Sequence, residues 1–420
     1  VFPRNTSQVQ AIVGWARNAR AALVPSGGRT GLSAAAVAAS GEVVVSFDRM
    51  NAIGELDPDG QLIDAEPGVI TEALQQHVAE RGYFFPVDFA SRGSSQIGGN
   101  IATNAGGIKV LRYGLIRDWV AGLEVVTGTG ERLRLNNGLV KNATGYDLRH
   151  LMIGSEGTLG FITAATLKVT TPPNELSVVV LALENIESVM PVFHAFRRHC
   201  ALTAFEFFSD ACLKLVEDKG LSAPFESRPS TYVLAEVEHI GAEADGQIEQ
   251  VFEQVMEAGH VVDGVISQSA SQAKELWRLR EDISEAATPF TPYKNDVSVR
   301  IGDVPAFVRE LSGILEKEYP DLTVLWFGHI GDGNLHINVL KPESLDTSTF
   351  YERCQHVDRM VFSTVEKFGG SVSAEHGVGL TKKPFLHHTR SAAEIGLMRQ
   401  LKTVFDPDGV MNPGKIFDIQ

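Results

Sequence analysis

Residues Pro25–Leu32 read PSGGRTGL, with Gly27, Gly28 and Gly31 following the short apolar run AALV. Glycine tolerates positive φ and lets backbone N–H groups approach an anion closely. Consecutive N–H groups in such a turn form an anion-binding nest. The loop is not the G-x-G-x-x-G that opens a dinucleotide-binding βαβ unit, and the chain has no G-x-x-x-x-G-K-[ST]. Two more glycine loops follow: SSQIGGNIATNAGG (Ser94–Gly107) and LMIGSEGTLGFIT (Leu151–Thr163). One such loop is an ordinary turn. Three, each carrying small hydroxyl or amide side chains, suit a large cofactor with a pyrophosphate and several polar edges.

Around these loops the pattern is of short strands and turns. EVVVSFDRM and GQLIDAEPGV read as strands. VITEALQQHVAERG has a helical period and stops at Gly82. GLEVVTGTGERLRL reads as a hairpin about Gly128–Gly130, and GFITAATLKVTTPP as a strand halted by Pro172–Pro173. A second region, from ELSVVVLAL to EQVMEAG, alternates strand and helix, which predicts an antiparallel layer with helices on one face. AAEIGLMRQLKTVFDP near the end is helical. The expected division is 1–172, 173–382 with the candidate metal residues, and a C-terminal segment 383–420.

At 420 residues the chain is too long for one ordinary core. Its formal net charge of −15 argues against a nucleic-acid partner, which needs clustered Lys and Arg. Cys200, Cys212 and Cys354 have no CxxC spacing, as expected of inert thiols in a reducing compartment. No apolar run approaches the length of a membrane span. The expected location is cytoplasmic, or the mitochondrial matrix for a eukaryotic protein. The chain begins VFPRN without Met, so a targeting segment can lie outside it.

FGHIGDGNLHINV, Phe327–Val339, reads as a β-hairpin. If Gly331–Asn334 forms the turn, Ile330 faces Leu335 and His329 faces His336. Opposed residues on one sheet face have Cβ atoms roughly 4.5–5.5 Å apart. Two imidazoles so placed can share a metal through N–metal bonds of about 2.0–2.1 Å. Asn338 falls on the same face as His336. Two histidines flanking a turn can equally be plain hydrogen-bonding side chains, and a third ligand is needed to decide.

SVSAEHGVGLTKK, Ser371–Lys383, places Glu375 beside His376, so the two side chains diverge in an extended chain. By itself EHG is also compatible with an exposed loop. AKELWRLREDISEAATPFTPYKNDVSV, Ala273–Val299, carries Arg280 and Ser284 at i, i+4 of a helical pattern, and then Lys294. A guanidinium fork and a lysine point charge suit a carboxylate. A solvated helix with surface cations fits the segment too.

PSGGRTGL, IGGNIATNAGG and NATGYDLRHLMIGSEGTLGFIT resemble, in order, the FAD segments of the vanillyl-alcohol-oxidase-type flavoproteins, and MNPGKIF resembles their closing motif. The two later segments resemble those of the subgroup acting on D-2-hydroxy acids, which includes D-lactate, glycolate and D-2-hydroxyglutarate dehydrogenases. The resemblance implies an α+β chain: an FAD-binding domain, a cap (substrate) domain with a large antiparallel sheet, and a C-terminal helical segment packing back on the FAD domain. It implies that Pro25, Ser26, Gly27, Gly28, Arg29, Thr30 and Gly31 wrap the FAD pyrophosphate. Gly98, Gly99, Asn100, Thr103, Asn104, Gly106 and Gly107 would line the cofactor. Glu156, Gly157 and Ile162 would hold the adenine side, and Asn412 would lie near the flavin ring. The first loop has no histidine, so FAD is expected to be non-covalent.

The same resemblance makes His329, His336 and Glu375 ligands of a divalent metal, most often zinc, and His376 the proton acceptor. Arg280, Ser284, Lys294, Asn338 and His376 would contact substrate; Ser284 stands where relatives have Thr. The implied reaction takes a D-2-hydroxy acid to the 2-oxo acid by hydride transfer to flavin N5. D-2-hydroxyglutarate is the leading substrate, with D-malate as a second. D-lactate oxidation and a non-catalytic electron-transfer subunit are the alternatives. An electron-transfer flavoprotein as acceptor and a homodimer are family-level expectations.

Overall fold

A computed structural model describes residues 1–241 and 244–418; the last two residues of the expected 383–420 segment lie outside the described residues. The chain divides into two compact units. The first comprises 1–107, 113–172 and 375–420, and the second 108–112 and 173–374.

In the first unit, β1 (Leu23–Ser26) pairs in parallel with β2 (Val43–Ser46). The other strands are β3 (Ile53–Asp57), β4 (Leu62–Ala65), β5 (Val120–Thr127), β6 (Arg132–Leu135) and β7 (Gly160–Lys168). They form an antiparallel sheet in the order β3-β4-β7-β5-β6. β5 and β6 are the hairpin expected around Gly128–Gly130. One face buries Leu74, Phe85, Ile97, Ile101, Val125 and Leu167 in a common core, so the short helices Thr71–Ala79 and Ile97–Thr103 pack there.

The C-terminal return belongs to this unit. Lys402, on helix Ala392–Phe405, is 2% exposed. Its ammonium donates to Thr158 O (2.7 Å) and Met411 O (2.6 Å) and pairs with Asp406. Asp406 in turn accepts the N–H groups of Val410 and Met411. A buried cation is expensive unless paired in this way, and the cluster fixes the turn that delivers Asn412 beside β1, where Asn412 N–H donates to Leu23 O at 2.7 Å.

The second unit is built on seven strands: β8 (Leu176–Leu183), β9 (Ala201–Ser209), β10 (Thr231–Glu238), β11 (Val261–Ile266), β12 (Tyr293–Ser298), β13 (Val324–Gly328) and β14 (Asn334–Val339). Their order is β11-β8-β10-β9-β13-β14-β12, antiparallel throughout. Helices cover both faces rather than one. Ala273, Leu276, Ile283 and Leu213 join Val180, Leu234, Phe208 and Phe327 in one core. On the other face, Phe193 of helix Val189–His199 meets Phe205 with ring centroids 4.9 Å apart. Burial on both faces is why β8 reads LSVVVLAL without polar alternation.

The expected hairpin is present with a different register. His336 lies opposite Phe327, not His329, and the connection is the longer 329–333. Asp332 Oδ1 accepts the Asn334 N–H (3.0 Å), and His329 O accepts from both Asp332 and Asn334. Gly333 takes φ +87°, where a Cβ would stand 2.2 Å from Val299 O. His329 thus lies in the turn, outside the strand, its carbonyl held by the Asp332 and Asn334 N–H groups.

Candidate functional site

The three glycine loops converge in the first unit. A Cβ on Gly28 would lie 2.2 Å from Ser94 O, and one on Gly157 2.5 Å from Pro25 Cγ. Gly28 therefore lies against the backbone of the second loop and Gly157 against the Pro25 ring, approaches that leave no room for a Cβ. They line an open cleft together with Ala35 and Ala36; its walls include Pro25, Gly27, Gly98, Gly99, Thr103, Glu156, Gly157 and Ile162. Ser26 is buried at the end of β1, and Arg29, at φ +58°, is exposed on the turn with Gly31; Gly28 and Thr30 are half-buried between them. Gly106 is half-buried, and Gly107 backs onto Asp88 O.

Several of these residues have structural duties. Asn100 donates to Thr71 Oγ1 at 2.6 Å, and Thr103 Oγ1 donates to Gly99 O. Glu156, at φ +51°, accepts the N–H groups of Val378 (2.7 Å) and Gly379 (2.8 Å), just after His376. Burial pushes its carboxyl pKa up. Asn412 Nδ2 donates to Ala35 O and Glu156 O. Three amide oxygens of this unit, on Gln96, Asn104 and Asn412, are buried without a hydrogen-bond partner. Buried acceptors demand donors. A group offering ribityl hydroxyls and ring N–H donors, as FAD does, fits that need. Gln96 was not singled out from sequence, although it directly precedes the second glycine loop.

In the second unit, one sheet face carries a polar patch. β12 and β14 pair Lys294 with Asn338 and Asp296 with His336. Asp296 is 1% exposed. Its Oδ1 lies 3.5 Å from His336 Nδ1 and accepts from Asn334 Nδ2 at 2.7 Å. His329 Nδ1 lies 2.8 Å from Glu206 Oε1 on β9. The two imidazole centroids are 5.4 Å apart, near perpendicular. A carboxylate only accepts, so the 2.8 Å contact with Glu206 puts the His329 proton on Nδ1 and its lone pair on Nε2; Asp296 stands farther from Nδ1 of His336. Metal-bound histidines are held in this manner, so the donor set fits a divalent ion. The sequence reading missed both carboxylates. Glu206, a lone charge inside the apolar strand TAFEFFS, was the available signal.

Arg280 ends helix Ala270–Glu281, and Ser284 lies in a separate short helix Ile283–Ala287, with Asp282 between them. The single helical face expected for the pair is therefore interrupted. Arg280 Nη2 is 2.9 Å from Glu206 Oε2, and its guanidinium lies 4.9 Å from the Phe327 ring centroid. Ser284 is half-buried and Lys294 accessible; desolvation holds the Lys294 ammonium below its usual pKa. Glu375 and His376 open the return segment of the first unit, with Oε1 and Nε2 3.6 Å apart. The preceding residue, Ala374, donates its N–H to Asp296 Oδ2 at 3.2 Å.

The FAD binding domain family matches residues 1–136, and the FAD linked oxidases, C-terminal domain, matches residues 172–416. D-2-hydroxyglutarate dehydrogenase of Stutzerimonas stutzeri is 56% identical, covering 99% of this chain and 90% of its own length. The enzyme of that name from Xanthomonas citri is 53% identical (99% and 88% covered), and the mitochondrial one of Bos taurus 38% (99% and 76%). The chain belongs to the FAD-linked oxidase family. Within that family it stands with the D-2-hydroxy-acid dehydrogenases, and it is an FAD-dependent oxidoreductase.

Among solved structures, alkyldihydroxyacetonephosphate synthase superposes on this chain with TM-score 0.73 at 20% identity, covering 99% of this chain and 76% of that one. For p-cresol methylhydroxylase the TM-score is 0.76 at 15% identity, covering 100% and 88%. At these identities the likeness concerns fold alone, and the vanillyl-alcohol-oxidase-type α+β architecture expected from sequence is the one found. Among the described residues, no helix is long and apolar enough to cross a membrane.

Proposed function

We propose that the protein oxidises D-2-hydroxyglutarate to 2-oxoglutarate, with D-malate as a second substrate, using non-covalent FAD and a divalent metal ion, most often zinc. The observation that carries this reading is 56% identity over 418 residues to an enzyme of that name. The carboxylate-held histidines and the Lys294–Asn338 pair support it. FAD would lie along the cleft lined by Pro25–Gly31, Gly98–Gly107 and Glu156–Ile162, with Asn412 near the ring. The metal would be held by His329, His336 and Glu375; Glu375 directly follows Ala374, whose N–H is fixed on Asp296. When bound, FAD supplies the hydride acceptor and the ion supplies Lewis-acid charge beside the substrate hydroxyl.

The chain's own residues do the rest. His376, next along from Glu375, takes the proton of the C2 hydroxyl. Lys294 and Arg280 supply positive charge to the substrate carboxylates, a diacid being suited by two cations. Ser284 and Asn338 add hydrogen bonds that set the orientation of C2. An electron-transfer flavoprotein as the acceptor and a homodimer complete the proposal.

The test is anaerobic bleaching of the flavin absorbance across a panel of D-2-hydroxy acids, with metal analysis on the same sample. Bleaching by D-lactate in preference to D-2-hydroxyglutarate overturns the substrate assignment. Undiminished turnover of chelator-treated, metal-free protein overturns the metal.

A further inference from the structure

Glu206 has no part in the reaction as proposed, yet it touches both halves of the substrate side. It sits in the interior of β9, 1% exposed, in a strand otherwise made of Thr, Ala and Phe over 203–208. A carboxylate there is costly unless both oxygens are engaged. Oε1 lies 2.8 Å from His329 Nδ1, and Oε2 stands 2.9 Å from Arg280 Nη2 as an ion pair without accepting a hydrogen bond. The two partners come from the 329–333 turn and from the end of helix Ala270–Glu281.

We infer that Glu206 is a positioning residue that couples the metal ligand His329 to the substrate arginine Arg280. The inference rests on the metal and substrate roles proposed above. Through Oε1 it keeps the proton of His329 on Nδ1, so that the lone pair resides on Nε2 and the ring cannot flip. Through Oε2 it neutralises Arg280 and pins the guanidinium against Phe327. Arg280 Nε and Glu206 Oε2 are both buried without a hydrogen-bond partner, so the pair is held by charge and the guanidinium keeps its donors for a further acceptor. A plain buried ion pair would stabilise the fold and do nothing else. A positioning carboxylate makes metal affinity and substrate affinity depend on one side chain.

Glutamine at 206 offers one acceptor oxygen, so it serves one partner and turns an amide N–H₂ on the other. In FAD-loaded protein stripped with a chelator, Glu206→Gln is expected to bind zinc about 10–100-fold more weakly than the unchanged protein, the range for loss of a histidine's outer-shell partner. KM for D-2-hydroxyglutarate should rise with it, and the cobalt(II) absorption spectrum of the substituted site should shift. Arg280→Gln, which removes no metal ligand, should also weaken zinc binding; this is the outcome that a merely structural role does not produce.

The titration uses zinc against a chromophoric chelator. Flavin absorbance and the melting temperature report whether each variant is folded. Should Glu206→Gln fail to fold, Glu206→Asp and Arg280→Gln carry the same comparison. Unchanged protein that takes up no zinc overturns the metal reading and this inference with it. Unchanged protein that binds zinc, with variants that bind it equally tightly at unchanged KM, overturns the inference alone.

Discussion

Asp296 faces His336 directly across the β12–β14 ladder, its Oδ1 3.5 Å from the imidazole Nδ1. The same carboxylate accepts from Asn334 Nδ2 and from the Ala374 N–H, the residue before Glu375. One buried anion thus orders one proposed metal ligand and the chain leading into another. Replacing Asp296 by Asn keeps the shape and removes the charge. The expected outcome is a loss of about 10–100-fold in metal affinity, with FAD retained. Metal content after dialysis, set against flavin content, checks it; full metal occupancy in Asp296→Asn would count against the role.

His376 stands apart from the metal set in function. His376→Asn leaves the proposed ligands His329, His336 and Glu375 in place and removes the proton acceptor. Anaerobic flavin reduction by D-2-hydroxyglutarate should slow by about 10²–10⁴-fold, the usual worth of a general base, while the flavin spectrum and metal content stay as they were. Stopped-flow absorbance at the flavin maximum measures it. A variant that reduces its flavin at the original rate would assign the proton to another group.

How much of this was legible in the sequence depended on how local the cause was. The glycine loops could be read because each crowded glycine, Gly28 or Gly157, answers to a neighbour in another glycine loop of the same kind. The hairpin could be read, but its register could not. That was set by the longer turn, in which the His329 carbonyl is held by the Asp332 and Asn334 N–H groups. Arg280 and Ser284 have helical spacing, yet the chain changes helix at Asp282, where Arg278 Nε donates to the Asp282 carboxylate at 3.0 Å. Glu206 stood out only as a lone charge in an apolar strand, and neither it nor Asp296 could be assigned to the site because their partners are distant in sequence; His329 is 123 residues from Glu206. Pattern along a chain reports the faces of elements, and cross-strand neighbours decide what those faces do.

Gly98 and Gly99 are adjacent on helix Ile97–Thr103 and should respond differently to alanine. A Cβ on Gly98 would meet Pro67 Cβ at 2.5 Å, whereas one on Gly99 has nothing within 4 Å. Gly98→Ala should destabilise the protein itself, by about 1–3 kcal/mol as overpacking does. Gly99→Ala should leave the FAD-free protein as stable as before and weaken FAD binding, because the space it enters is the cleft. Melting of FAD-free protein and titration with FAD separate the two effects. Equal FAD affinity in Gly99→Ala would move the cofactor elsewhere in the cleft.

Glu124 gives the first unit a defined acid sensitivity. Burial pushes its carboxyl pKa up, but hydrogen bonds from Thr6, Arg132, Thr163 and Arg134 together outweigh burial, and the pKa lies below the ordinary glutamate value. Thr6 Oγ1 donates to Oε1 at 2.6 Å and Arg132 Nε to Oε2 at 2.7 Å, so the carboxylate ties helix Thr6–Ala19 to β5 and β6. For a carboxyl depressed on folding, the unfolded chain binds the proton first as pH falls. The stabilisation is therefore complete above the unfolded value of about 4.3 and is lost as pH drops through the lower folded value. Glu124→Gln should lower stability at neutral pH by about 1.5–3 kcal/mol, the range for a charge-assisted hydrogen bond. It should also flatten the decline in melting temperature below about pH 5. A variant whose melting temperature falls with acid as steeply as the unchanged protein would show that other carboxylates govern that limb.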